Sequence, residues 1–271
     1  MRNILILGGT TEASALALAL AERDEHGERA VLSYAGRVAQ PREQPIAVRV
    51  GGFGGVAGLV RYLQEHGVTH LVDATHPFAA RISANAVAAC AQAGVPLLAL
   101  TRAPWLPGPG DRWQTVADVP AAAAALGGRP QRVLLALGRM HLAIFASQPQ
   151  HHYVLRLVDQ PDELPPLPQH TTIVARGPFD LAGDIALMRE HQVDLVVCKN
   201  AGGSGAQAKL QAARALGLPV LMVARPPLPA RHEVTRVAEV LAWLEQGDST
   251  VHDNSAEPAH AVPSRATERG V

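Results

Sequence analysis

Short apolar runs in this chain alternate with longer Ala/Leu-rich stretches, and that alternation constrains the fold more than any other feature. Residues 4–7, 30–34, 46–50, 69–73 and 96–100 read as strands, with helical stretches at 11–23, 55–66 and 78–93. A strand covered on both faces shows a continuous apolar run instead of period-two alternation, and strands joined through helices run parallel. The rhythm breaks at Pro104-Trp105-Leu106-Pro107-Gly108-Pro109-Gly110 and then restarts. Strands are predicted at 132–137, 153–158, 172–175, 194–198 and 219–223, and helices at 118–126, 139–146, 180–191, 205–216 and 236–246. The fold class is therefore α/β with mostly parallel sheets. A chain of 271 residues accommodates two domains of this kind, predicted at 1–110 and 111–246. The remainder, 247–271, is polar and aperiodic and reads as a disordered tail.

Composition narrows the function classes. With 48% hydrophobic and 18% charged residues the chain is globular rather than disordered or fibrous. Lys+Arg and Asp+Glu are both 24, so the net charge is zero, which argues against a general nucleic-acid binder. Cys90 and Cys198 sit in apolar runs and cannot build a disulfide framework or a zinc cluster. The histidines lack metal-ligand spacing, so no metal is expected. The opening residues lack a secretory apolar region, and no membrane-spanning stretch is visible. A cytoplasmic monomer without membrane or nucleic-acid partners is expected.

The chemistry concentrates at the turns that follow strands. In open α/β sheets ligands bind at the C-terminal ends of the strands. The first such turn is Gly8-Gly9-Thr10-Thr11-Glu12, running directly into a helix. Glycines let backbone N–H groups approach a phosphate, and the helix dipole favours the anion. The full three-glycine dinucleotide fingerprint is absent, and a tight turn with a Thr cap explains the same residues. The second strand ends without the acid that reads a ribose 2′-hydroxyl; Ser33 and Arg37 stand there instead. That pair suits a 2′-phosphate and so NADPH, against the plainer reading of a solvated arginine. The next turn, Asp73-Ala74-Thr75-His76-Pro77, lies on the same edge. It offers Asp73, Thr75 and His76 as cofactor contacts.

Strand ends in the second half carry cations. Gly138-Arg139, Arg176-Gly177-Pro178-Phe179-Asp180 and Lys199-Asn200-Ala201-Gly202-Gly203-Ser204-Gly205 each follow a predicted strand. Lys199 and Lys209, the chain's two lysines, flank the last of these. A glycine-rich loop with ammonium groups at a helix start is an anion-site candidate, and a flexible loop is its structural alternative. Gly202-Gly203-Ser204-Gly205-Ala206 misses the last glycine of a nucleophile elbow and lies too far beyond its strand, which disfavours a serine hydrolase. Asp180 can simply cap the next helix. Trp105 can stack on a flat ligand or pack a hinge.

Taken in order, these motifs resemble one family, the precorrin-6A reductases of cobalamin biosynthesis and their cobalt-precorrin-6A counterparts. The resemblance rests on Leu7-Gly8-Gly9-Thr10-Thr11-Glu12-Ala13, Tyr34-Ala35-Gly36-Arg37, Asp73-Ala74-Thr75-His76-Pro77-Phe78-Ala79 and Arg102-Ala103-Pro104-Trp105. It continues through Leu137-Gly138-Arg139, Ala175-Arg176-Gly177-Pro178-Phe179, Lys199-Asn200-Ala201-Gly202-Gly203 and Leu221-Met222-Val223-Ala224-Arg225-Pro226, spanning residues 1–246. Ala201 stands where many members carry Ser. The resemblance implies two Rossmann-like domains, strand exchange between their sheets near 104–116 and near the chain end, and NADPH-dependent reduction of one macrocycle double bond. It implies cofactor contacts from Gly8, Gly9, Thr10, Thr11, Glu12, Ser33, Arg37, Asp73, Thr75 and His76. The polycarboxylate tetrapyrrole falls to Arg102, Trp105, Arg139, Arg176, Lys199, Asn200, Gly203, Ser204 and Arg225. Arginine forks grip carboxylates well. His76, Asp180 or a water is the expected proton donor. Another tetrapyrrole reductase or synthase, or a nucleotide-sensing module without catalysis, stays open as an alternative.

Overall fold

A computed structural model describes residues 2–23, 28–35, 43–158, 163–175, 177 and 179–246. Arg37, Arg176 and the stretch 247–271 lie outside the described residues. The first half runs β1 (Asn3–Leu7), α1 (Thr11–Ala21), β2 (Arg29–Tyr34), β3 (Ala47–Val50), α2 (Gly55–Glu65), β4 (His70–Asp73), α3 (Ala80–Ala93) and β5 (Leu97–Leu100). The second runs β6 (Arg112–Val116), α4 (Val119–Ala124), β7 (Arg132–Ala136), a 3-10 stretch (Arg139–Ser147), β8 (His152–Leu157), β9 (His170–Val174), α5 (Leu181–Glu190), β10 (Leu195–Lys199), α6 (Ala208–Ala215) and β11 (Pro219–Val223). Last come β12 (Glu233–Val234) and α7 (Val237–Glu245).

Two six-stranded sheets result, ordered β12-β5-β4-β1-β2-β3 and β6-β11-β10-β7-β8-β9. Every strand pairing among the described residues is parallel. Each sheet is a Rossmann-like set of five with a sixth strand at one edge. The sixth strands are exchanged. β6 follows β5 in the chain but pairs with β11, whereas β12 follows β11 but pairs with β5. Of the expected second domain of 111–246, Glu233–Val234 pairs into the first sheet and Val237–Glu245 packs on its face.

The alternation explains why these segments settle as they do. β1 sends Ile4 and Ile6 to one face of its sheet and Leu5 and Leu7 to the other. Ile4 and Ile6 meet Leu16 and Leu20 of α1, together with Val240 and Leu244 of α7. Leu5 and Leu7 meet Leu59 and Leu63 of α2 and Ala86 and Cys90 of α3. Val240 and Leu244 are at most 1% exposed, and each contributes about 1.5–3 kcal/mol of apolar burial that fixes the exchanged segment. Neither exchanged strand was expected from the apolar pattern. β6 is a largely exposed edge strand, Arg-Trp-Gln-Thr-Val, and β12 is two residues long. The helix expected at 139–146 is 3-10, entered from Gly138 without a side-chain cap.

Candidate active site

The first sheet changes direction between β1 and β4, and the turns after these two strands flank that point. A Cβ on Gly8 would lie 2.5 Å from Leu32 Cδ1, so only glycine lets the chain leave β1 so close to β2. The Gly8 N–H donates to the Ser33 carbonyl at 2.9 Å. Gly9 turns at φ +118° into open space. Thr10 caps α1: its hydroxyl accepts the Ala13 N–H at 3.1 Å and donates to the Ala74 carbonyl at 2.7 Å. Among the described residues the N–H groups of Gly9, Thr10 and Thr11 meet no protein acceptor. A turn with free donors at a helix start fits a phosphate.

Arg102, which follows β5, bridges this turn and the 202–203 loop of the second half. Its Nη2 donates to Glu12 at 2.6 Å and to the Thr11 hydroxyl at 3.2 Å. Its aliphatic stem lies against the 202–203 loop, where a Gly203 Cβ would fall 2.8 Å from Arg102 Cδ. A Cβ on Gly202 would overlap the Ala103 carbonyl at 2.2 Å, and both glycines are at positive φ. Arg225 holds the same loop from the other side, donating from Nε to the Asn200 carbonyl at 3.0 Å. Lys199 Nζ sits 5.3 Å from the centre of the Phe78 ring, and Phe78 packs against the apolar cluster of Leu135, Leu137 and Val197 on one face of the second sheet. His76 lies within the fields of Arg102, Lys199, Arg225 and Glu12. Burial, then the three cations, push its pKa down to about 4. The Phe78 N–H donates to His76 Nδ1 at 3.2 Å, which leaves the other ring nitrogen, Nε2, to carry the proton.

A backbone turn with free donors thus stands close to the cations Arg102, Lys199 and Arg225 and to a buried imidazole. The family model described as precorrin-6x reductase CbiJ/CobK matches residues 3–245. The chain belongs to the CbiJ/CobK family. A precorrin-6A reductase of Rhodobacter capsulatus is 56% identical over 250 residues, covering 92% of this chain and 98% of the relative. A precorrin-6A reductase of Rhodococcus erythropolis is 49% identical over 245 residues, covering 90% and 98%. A solved structure titled CobK precorrin-6A reductase superposes with a TM-score of 0.86 at 56% identity, covering 91% of this chain and 97% of that one.

Within this CbiJ/CobK chain the predicted site residues divide. Gly9, Thr11, Glu12, His76, Arg102, Lys199, Gly203 and Arg225 come together as described. Ser33 lies at the end of β2, beside the turn. Asp73 is only 2% exposed and spent on protein. Its Oδ1 accepts from the Thr75 N–H and hydroxyl at 3.1 and 2.7 Å, and its Oδ2 pairs with Arg231 at 2.5 Å. Asp73 therefore positions Thr75 and anchors the chain just before β12 instead of touching a ligand. Trp105 is corrected as a stacking surface, because it is 8% exposed, packed among Val196, Leu210 and Met222, and its indole N–H donates to the Gly203 carbonyl at 2.8 Å. Asn200 is likewise occupied, accepting from the Trp105 N–H at 2.8 Å and donating to its carbonyl at 2.9 Å. Lys209 is not a ligand cation: it is buried, lies 4.9 Å from the Trp105 ring centre and donates to the Ala206 carbonyl.

Both side chains expected as proton donors make contacts with neighbouring backbone. His76 is neutral at physiological pH with Nδ1 engaged. Asp180 caps α5 through a 2.7 Å bond from the Gly183 N–H. Arg139 and Ser204 are exposed at the mouths of β7 and β10. Sequence reasoning missed Arg49, at the end of β3, and Arg231. An arginine inside the apolar run Ile46-Ala47-Val48-Arg49-Val50 was the available signal for the first; nothing local marked the second. Among the described residues no three His, Cys, Asp or Glu side chains converge to hold a metal. No described helix is long and apolar enough to cross a membrane.

Proposed function

We propose that this chain is a precorrin-6A reductase that draws hydride from NADPH and saturates one double bond of the macrocycle, a step of cobalamin biosynthesis. The observation that carries the reading is the proximity of two sets of donors suited to anions. One is the backbone turn Gly9–Thr11, and the other is the cluster Arg102, Lys199 and Arg225. The near-full-length likeness to relatives named precorrin-6A reductase supports the substrate. NADPH, when bound, supplies the hydride. The protein's own work is to hold its two ligands in register. Gly9, Thr10 and Thr11 offer N–H groups to a diphosphate. Arg102, Lys199 and Arg225 bind ring carboxylates as charge-assisted pairs. His76 donates a hydrogen bond from Nε2 without changing its charge.

Titration of the purified protein with NADPH and NADH, followed by addition of precorrin-6A with NADPH absorbance monitored, tests this. NADPH binding and substrate-dependent oxidation are expected. No NADPH binding sinks the reductase reading, and binding without oxidation points to a sensing module.

A further inference from the structure

Arg49, at the C-terminal end of β3, is built as a receptor for an anion. Its guanidinium carbon lies over the Phe53 ring, 3.9 Å from the ring centre, and 5.1 Å from the Tyr62 ring centre. Nη1 donates to the Ser33 hydroxyl oxygen at 2.8 Å and to the Gly51 carbonyl at 2.9 Å. Nη2 reaches the Gly52 carbonyl at 3.4 Å. These contacts fix the group in place, and they are all neutral. Among the described residues no carboxylate pairs with Arg49. Among the described residues its Nε–H and one Nη2–H find no acceptor. The Ser33 hydroxyl, having accepted from Arg49, still has its own hydrogen to donate.

The support beneath this arginine is specific. Phe53 meets Tyr62 edge-on with centroids 5.1 Å apart, and Tyr62 stacks on His66 at 4.0 Å. A Cβ on Gly58 would fall 1.7 Å from the Phe53 carbonyl oxygen, so a glycine in α2 is what lets the Phe53 loop sit down. Gly51 and Gly54 turn this loop at φ +128° and +81°. Holding a long charged side chain in one geometry costs rotamer entropy, and here that cost is met before any ligand arrives.

Position decides what the anion is. Ser33 ends β2, and its carbonyl accepts the Gly8 N–H, so Arg49 and the anion turn flank the same strand end. In sheets of this topology the end of β2 faces the adenosine ribose of a dinucleotide. We infer that Arg49 and Ser33 form a phosphomonoester subsite that reads the ribose 2′-phosphate and selects NADPH over NADH. The inference rests on the NADPH reading above and assigns its specificity to a residue of β3, independently of Arg37. A mere clamp for the 51–55 loop would affect both cofactors alike.

The test is binding of NADPH and NADH to the full chain, wild type against Arg49→Gln. Wild type is expected to prefer NADPH. Arg49→Gln is expected to lose at least about 10-fold in NADPH affinity while NADH affinity stays within about 2-fold. Ser33→Asp, which places a carboxylate against Arg49, is expected to reverse the preference. Should Arg49→Gln fail to fold, Arg49→Lys serves instead: it keeps charge but not the fork, and an intermediate loss confined to NADPH is expected. Equal losses for both cofactors, or a wild-type preference that survives the variants, overturns the assignment. Failure of the reductase reading looks different, since wild type would then bind neither cofactor.

Discussion

The two halves share one strand order, β3-β2-β1-β4-β5 and β9-β8-β7-β10-β11, yet they leave their central strands differently. After β1 the chain turns through Gly8-Gly9, caps α1 with Thr10 and leaves backbone donors free. After β7 it turns through Gly138 into a 3-10 stretch with no side-chain cap. At its central turn the first half therefore offers backbone donors and a helix dipole, whereas the strand ends of the second offer side-chain cations, Lys199 after β10 and Arg225 after β11. The difference teaches that a repeated topology supplies positions only, and that the chemistry comes from the turns set on it.

Each half also holds one buried Arg–Asp pair, and these give the largest expected effects. Arg231–Asp73 has side chains 7% and 1% exposed, and Arg156–Asp184 has 7% and 4%. Removing either arginine strands a carboxylate, so Arg231→Ala and Arg156→Ala should each cost about 3–5 kcal/mol in chemical denaturation. Hydrogen exchange separates them. The amides of Ala99 and Thr101 donate to His232 and Val234, across the exchanged strand. They should exchange faster in Arg231→Ala alone. Equal protection in the two variants would show that the first pair does not secure β12.

The next effects fall on ligands. Lys199→Ala and Arg225→Ala should raise KM for precorrin-6A about 10-fold or more, with NADPH affinity within about 2-fold. Gly9→Ala, strained at φ +118°, should do the reverse and weaken NADPH about 10-fold. If all three weaken both ligands alike, the division of labour between the halves is wrong.

A pH dependence to which His76 contributes completes the comparison. The unfolded chain protonates His76 near pH 6.5, whereas burial and its cationic neighbours delay this to about 4 in the folded protein. Between those values the unfolded state binds more protons, so stability falls as pH drops from 6.5 towards 4. Urea melts across that window should show a shallower decline for His76→Gln than for wild type.

The sequence made the buried strands legible because each carries its own apolar run, and the strand-end turns followed from them. The glycine turn, His76, Arg102, Lys199 and Arg225 could all be placed on one edge in this way. Trp105, Asn200 and Lys209 could not be assigned, because their roles depend on partners far along the chain or buried beneath a loop. Trp105 is held by Asn200 and Gly203, nearly a hundred residues later, and no local pattern encodes that. Asp73 had the right position but the wrong direction. The carboxylate points inward to Arg231, 158 residues away in sequence. Arg49 was hidden because a charged residue in an apolar strand reads as an edge feature until Phe53 and Ser33 are seen around it.

The exchanged strands carry a consequence for synthesis. Glu233 must pair beside Ala99, and Val240 must dock on α1, before the first sheet is complete. A half that comes off the ribosome first thus waits, one edge open and part of one apolar face uncovered, until residues 233–245 emerge. The first half cannot be cut free at the linker as a finished piece: the second sheet has all its strands once β11 is made, whereas the first closes only when β12 and α7 follow.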